Sequence, residues 1–298
     1  MAPGPLAQAY AACETLARSH YENFPVASML LPRHMRPHVA AVYAFARRAD
    51  DIADEGAAQP AVRRAELDAW LGRLHEKVRL KPDTTDPQVV SAFRRTDDDL
   101  MLEATANSIR TLDLPISLFD DLVSAFAQDT TTTRYASWAD VLDYCRRSAN
   151  PVGRLVLRIA GYDDASLDRS SDALCTALQL ANFWQDFGRD WRAGRLYVPA
   201  DVLVASGADE RQLSSTTMSD TWARAIERCV EFTRERFAEG RAVCDGVRGR
   251  LRWELRFTWL GGSRILDRVE RGRFRLMTER PALGAADAPL LLLRLLTW

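Results

Sequence analysis

Four carboxylates, arranged as two evenly spaced pairs, are the residues of this chain best suited to chemistry. Asp50 and Asp54 lie in Y-A-F-A-R-R-A-D-D-I-A-D-E (Tyr43 to Glu55), and Asp186 and Asp190 in Q-L-A-N-F-W-Q-D-F-G-R-D (Gln179 to Asp190). On an α-helix a spacing of four stacks both side chains on one face. Like charges so placed repel, so the helix gains no stability from them, whereas a bound cation would reverse the sign of that interaction. Hard cations such as Mg2+ take oxygen ligands, typically one or two carboxylates completed by substrate phosphates. Two such faces set against each other would cage a diphosphate.

The flanking residues strengthen that reading. Tyr43, Arg47, Asp50 and Asp54 recur at i, i+4, i+7 and i+11 and share one stripe, bordered by Phe45, Ala46, Ala49 and Ile52. Taken alone, an acidic helix end is most often a solvated surface, but those neighbours are not a solvent-facing set. Arg47 is placed either to pair with Asp50 or Asp51 or to donate two hydrogen bonds to a phosphate. Gln179, Asn182, Asp186 and Asp190 form the second stripe, at i, i+3, i+7 and i+11, among Leu178, Leu180, Phe183, Trp184 and Phe187. Polar groups in apolar surroundings need a partner or a ligand.

Helices must position both stripes, and helix signals run through most of the chain. Met35 to Glu55 is apolar at Val39, Val42, Tyr43, Ala46 and Ala49, close to a 3.6 period. Pro115 is placed to open a helix carrying Leu118, Phe119, Leu122, Val123 and Phe126. Ser137 caps a helix through Tyr144 that must be disturbed at Asn150-Pro151. Further helices are expected from near Ser170 past Asp190 towards Gly194, over Met218 to Asp245 and over Val247 to Arg271. Breakers at 82–87, 129–133, 161–164, 206–217 and 280–286 are too short for domain linkers. The expectation is one all-α domain, residues 1–298, built around a central core or cavity.

Composition narrows the function classes. A chain of 298 residues with 47% hydrophobic content has enough apolar material for a substantial core, and a formal net charge of −1 gives no case for nucleic-acid binding. Five widely spaced cysteines without a C-x-x-C pair suggest neither a disulfide framework nor a zinc site, which points to the cytoplasm. His34, His38 and His75 have no metal-ligand partners at sensible spacing. Met1 to Tyr10 lacks the features of a signal peptide. Ala288 to Trp298 carries a leucine run interrupted by Arg294, about half the roughly 20 residues of a membrane span. It is read as a helix packed on the core, with contact at the inner membrane surface as the alternative. Arg248 to Trp259 reads as an amphipathic helix with a basic outer face.

Together with R-Y-A-S-W-A-D-V-L-D-Y-C-R-R-S-A-N-P-V-G (Arg134 to Gly153) and H-Y-E-N-F (His20 to Phe24), the two runs resemble the squalene/phytoene synthase family over roughly residues 10 to 275. H-Y-E-N-F-P-V-A-S, S-A-N-P-V-G and N-F-W-Q-D are most similar to the hydroxysqualene synthase (HpnC-like) branch of hopanoid biosynthesis. The resemblance implies an all-helical isoprenoid synthase fold, a single bundle around a deep pocket whose mouth carries both aspartate stripes. It further implies that Asp50, Asp51 and Asp54, with Asn182, Asp186 and Asp190, bind a prenyl diphosphate through Mg2+. Arg47 and Gln179 match family residues near the diphosphate, and Phe24, Tyr43 and Tyr144 are pocket-wall candidates. His20 either approaches the diphosphate or serves in capping and packing.

Two departures shape the expected reaction. Relatives that join two prenyl units usually carry A-G-T-V-G where this chain has Ala149 to Gly153, and an arginine where it has Gln185. Losing that arginine removes a permanent charge beside the diphosphate. Both changes favour Mg2+-dependent conversion of presqualene diphosphate and water to hydroxysqualene and diphosphate, with Asn150 the candidate for holding the attacking water. That route needs no nicotinamide, and there is no dinucleotide fingerprint. The runner-up is a condensing prenyltransferase acting on two farnesyl diphosphates. A helical assembly protein that retains the fold is the non-enzyme alternative, disfavoured by two intact stripes. The expected partners are a prenyl diphosphate substrate and, transiently, other hopanoid-pathway enzymes.

Overall fold

In the computed structural model, which describes residues 4–19, 31–80, 96–214 and 216–298, the regular structure of the described residues is helical throughout. Their contacts divide the chain into two units, one from residues up to 131 together with 154–163, the other from 132–153 and 164–298.

In the first unit, α1 (Pro5–Ser19), α2 (Arg36–Asp54), α3 (Pro60–Arg79), α4 (Asp97–Leu112) and α5 (Ser117–Asp129) pack around α2, which touches the other four. Pro37 sits in the first turn of α2, where its missing N–H costs no hydrogen bond. Of the residues expected on the apolar side, Val39, Val42 and Ala49 are buried and Tyr43 and Ala46 half-buried, while Phe45 and Ala53 complete the buried side. Phe45 stacks on Trp70 of α3 (5.5 Å between centroids) and meets Phe119 of α5 edge-on (5.3 Å). Burying each such ring contributes about 1.5–3 kcal/mol. Thr96 and Asp99 form a capping box at the start of α4. Arg48 of α2 grips Asp98 there through both carboxylate oxygens, at 2.9 and 3.4 Å. Pro115 lies in the turn before α5, accepting from Leu118 N–H, so the helix opens slightly later than the proline suggests.

The second unit contains α6 (Trp138–Ser148), the start of α7 (Asn150–Ile159), α8 (Ala165–Gln185), α9 (Phe187–Arg192), α10 (Ala200–Ser206), α11 (Asp220–Gly246), α12 (Gly249–Arg271) and α13 (Ala288–Leu296). Ser137 and Asp140 make the expected cap of α6, which runs on past Tyr144 to Ser148. The chain breaks at Ala149, and Pro151 then occupies the first turn of α7. α8 begins at Ala165, earlier than expected, because Asp164 accepts the N–H groups of Ser166 and Leu167. α8 and α11 lie in intimate contact, and a Cβ at Gly240 of α11 would come within 2.6 Å of Leu174 N. The segment between α12 and α13, residues 272–287, is fastened at its far end by Asp287. Hydrogen bonding from Gly284 N–H and the guanidinium groups of Arg264 and Arg268 hold that carboxyl down to about 2.

The single long helix expected through Asp190 is instead two. α8 ends at Gln185, Asp186 sits at φ −93 and ψ 8, and α9 resumes at Phe187. Hydrogen bonds from Asp186 N–H to Asn182 O (2.8 Å) and from Asp190 N–H to Asp186 O (2.9 Å) carry the ladder across the bend. The stripe therefore keeps its register through a local kink.

Candidate active site

The first acidic stripe emerges from the half-exposed side of α2. Tyr43, Arg47, Asp50 and Asp51 are half-buried and Asp54 is exposed. Bordering Phe45 and Ala49 are buried, while Ala46 and Ile52 are half-buried. Arg47 is the hub of this face. It donates to Asp50 Oδ2 at 3.3 Å and reaches Asp51 Oδ1 at 2.7 Å and Glu55 Oε1 at 3.7 Å. The pairing expected with Asp50 or Asp51 is thus with both. The short contact to Asp51 is an ion pair without hydrogen-bond alignment. Asp51 Oδ1 and Arg47 Nε, both buried atoms, make no hydrogen bond. Asp51 Oδ1 thus keeps its ion pair with Arg47, while Arg47 Nε is a buried donor without an acceptor. Burial pushes the Tyr43 phenol up; Arg47 opposes that shift, and Asp50 and Asp51 reinforce it.

On the second stripe Gln179, Asn182, Asp186 and Asp190 are all half-buried, while Leu180, Phe183, Trp184 and Phe187 are buried. The polar row in an apolar helix is thus present as expected. Asn182 donates to Asp186 Oδ2 at 3.2 Å. Arg280, in the 272–287 segment, clasps both Asp186 oxygens, its Nε meeting Oδ1 and its Nη2 lying 3.2 Å from Oδ2. Arg189 is a further 3.8 Å neighbour. Gln185 donates to Pro281 O at 2.7 Å and Arg192 to Met277 O at 2.9 Å. A Cβ on Gly188 would stand 2.5 Å from Leu276 O and 2.7 Å from Met277 O, so only glycine admits the segment at this point.

Tyr144 is buried in an aromatic cluster with Tyr135, Phe183 and Tyr197. Phe183 and Tyr197 stack nearly parallel, 3.7 Å between centroids. Asn150, 8% exposed, accepts from Thr176 Oγ1 at 3.0 Å. His20 and Phe24 lie outside the described residues.

Hard carboxylate and carboxamide oxygens suit Mg2+. No three His, Cys, Asp or Glu side chains converge into a closed cage among the described residues, whereas magnesium characteristically uses few protein ligands and leaves positions for phosphate. The donor chemistry of each stripe fits that ion. Arg280, Gly188, Tyr135 and Tyr197 were not singled out from sequence. Gly188, a glycine inside an otherwise apolar and acidic run, was the available signal of a close backbone approach.

A family model described as squalene/phytoene synthase matches residues 17–287. Hydroxysqualene synthase of Zymomonas mobilis is 38% identical over 207 residues, 69% of this chain and 64% of that protein, so the match spans less than two thirds of the relative's length. Hydroxysqualene synthase of Sinorhizobium fredii is 36% identical over 237 residues, 78% of this chain and 74% of that protein. The crystal structure of squalene synthase HpnC from Alicyclobacillus acidocaldarius superposes with a TM-score of 0.78 at 39% identity, covering 90% of this chain and 95% of that one. The fold is the all-α isoprenoid synthase fold, and the chain belongs to the squalene/phytoene synthase family.

Proposed function

We propose that this chain converts presqualene diphosphate and water to hydroxysqualene and diphosphate. The observation that carries the reading is the pair of acidic stripes, on α2 and on α8–α9, half-buried except at Asp54, in a chain whose relatives include proteins named hydroxysqualene synthase.

Asp50, Asp51 and Asp54 on one stripe, and Asn182, Asp186 and Asp190 on the other, would hold Mg2+. When bound, that ion neutralises negative charge developing on the leaving diphosphate. Arg47 exchanges its carboxylate partners for phosphate oxygens and stabilises the same charge. The carbon–oxygen bond breaks with its electron pair going to diphosphate, leaving a cyclopropylcarbinyl cation. The resemblance makes Tyr43 and Tyr144 the candidates for aromatic walls around it, and one such ring would contribute about 0.5–2 kcal/mol through its quadrupole. Rearrangement is followed by attack of one water, which forms the new carbon–oxygen bond and releases its proton to the diphosphate. Asn150, oriented by Thr176, donates a hydrogen bond to that water. Gln179 lies beside the diphosphate. Gln185, whose amide is engaged by Pro281 O, supplies no cation where condensing relatives use arginine.

The Alicyclobacillus structure carries the name squalene synthase, which favours condensation of two farnesyl diphosphates as the second reading. One experiment separates them. Purified protein with Mg2+ and no nicotinamide receives presqualene diphosphate or farnesyl diphosphate in separate tubes, and products are identified by mass spectrometry. Hydroxysqualene from the first and nothing from the second is expected. Turnover of farnesyl diphosphate would replace this reading with the condensing reaction.

A further inference from the structure

The last helix leaves an apolar face uncovered. In α13, Leu291 is buried, while Leu292, Leu293 and Leu296 are 55%, 59% and 79% exposed. At about 100° per residue these three fall within an arc of about 100° on the side away from Leu291. Trp253 and Phe257, one turn apart on α12, are exposed as well. The two helices pack together, and the rings of Trp253 and Trp298 lie 5.7 and 5.0 Å from the Arg256 guanidinium between them. That shared cation fastens the end of α13 to α12 beside the aromatic pair.

Charge identifies the occupant. Residues 245–298 contain eleven arginines and six acidic residues, an excess of five positive charges in a chain of net charge −1; of these arginines, Arg273 and Arg280 pair with Glu227 and Asp186 outside that stretch. Arg294 is exposed on the same helix as the leucines. A second copy of this chain would bring two such basic regions together, and like charges oppose that arrangement. A membrane surface rich in anionic lipid attracts them while accepting leucine and tryptophan at headgroup depth. None of the described helices is long and apolar enough to cross a membrane.

We propose that the exposed leucines of α13 (Leu292, Leu293 and Leu296), with Trp253 and Phe257 exposed on the helix packed against it, dock onto an anionic bilayer, lying in its interface without crossing. The inference is independent of the reaction assigned above, because the test reads binding alone.

The full chain is floated with vesicles of phosphatidylcholine, with and without phosphatidylglycerol. Flotation with the mixed vesicles that declines as phosphatidylglycerol is withdrawn or salt is added is the expected result. The variant Leu292→Ser/Leu293→Ser/Leu296→Ser should bind at least about tenfold more weakly. Val204→Ser, at an 83% exposed position on α10, should bind like the parent. In the unaltered protein, brominated lipid should quench tryptophan fluorescence, a readout that survives any folding defect of the triple variant. Absence of flotation and quenching, equal binding by the triple variant, or a parent dimer that the triple variant turns into monomers would overturn the proposal.

Discussion

Arg280 clasps both carboxylate oxygens of Asp186 from 94 positions later in the chain. The same segment is pinned one residue on, where Pro281 O accepts from Gln185. A guanidinium is thereby held against the central carboxylate of the second stripe, whose side chain is only 17% exposed. This arrangement tempers the repulsion between Asp186 and Asp190, and under the proposed function it would put a permanent positive charge beside the diphosphate. A charge-assisted, two-pronged contact of this kind contributes about 1.5–3 kcal/mol. Arg280→Ala should accordingly lower kcat/KM for presqualene diphosphate by about ten- to a hundredfold. Arg280→Lys should recover part of it, because an ammonium keeps the charge and loses the fork. Steady-state kinetics with both variants checks this, and an unchanged kcat/KM would reduce the pair to a packing contact.

Gly188 governs whether that segment can approach at all. Carbonyl oxygens of Leu276 and Met277 occupy the space a Cβ would need, and backbone cannot rotate aside as a side chain can. Gly188→Ala should therefore cost about 1–3 kcal/mol of stability through overpacking. It should also pull Arg280 away from Asp186. The expected outcome is a lowered Tm together with a kinetic defect resembling that of Arg280→Ala. A Tm loss with untouched kinetics would show that the segment's position is irrelevant to turnover.

How much of this was legible in the sequence follows from the range of each interaction. The buried side of α2 and its polar stripe were readable because a 3.6 period is local, and so was the Ser137–Asp140 cap. The bend at Asp186 was not, because nothing in N-F-W-Q-D-F-G-R-D breaks a helix as proline would. The bend lies where a distant segment crosses it. Arg280 was hidden for the same reason: its partner is far away in sequence, and an arginine in T-E-R-P reads only as a loop residue. The water-holding candidate Asn150 was named from a departure in S-A-N-P-V-G, while its partner Thr176 sits in an unremarked part of α8.

A titratable cluster on the first unit predicts a pH effect on stability. Tyr10 OH and His38 Nδ1 each lie 2.9 Å from Ser108 Oγ, and Asn107 donates to Tyr10 OH at 2.9 Å, tying α1 to α2 and α4. Burial, and secondarily the nearby His34, lowers the His38 pKa from its ordinary value of 6.5. The unfolded chain then takes up a proton at higher pH than the folded chain does. Stability from this group is present above about pH 6.5 and declines as pH falls from there towards the lower folded value. Thermal melts of the parent and His38→Gln between neutral and mildly acidic pH test the sign. The variant should lose less Tm on acidification, and equal slopes would remove His38 from the account.

Thr176 and Asn150 yield the sharpest test of water capture. Thr176 Oγ1 donates to Asn150 Oδ1 at 3.0 Å, and both side chains are nearly buried. With its oxygen so engaged, the carboxamide nitrogen is the group left to act as a donor. A donor to the attacking water is suitable, because it takes one lone pair and leaves the other for the cation. Asn150→Ala should then divert products from hydroxysqualene towards rearranged or eliminated hydrocarbons while consumption of presqualene diphosphate continues. Thr176→Val keeps the shape but removes the hydroxyl that fixes the carboxamide. It should cost about 1 kcal/mol of stability and shift products in the same direction by a smaller amount. Product ratios by mass spectrometry, measured beside substrate consumption, separate this role from a structural one, which would lower consumption and leave the ratio alone. If both variants retain the parental ratio, the water is held elsewhere.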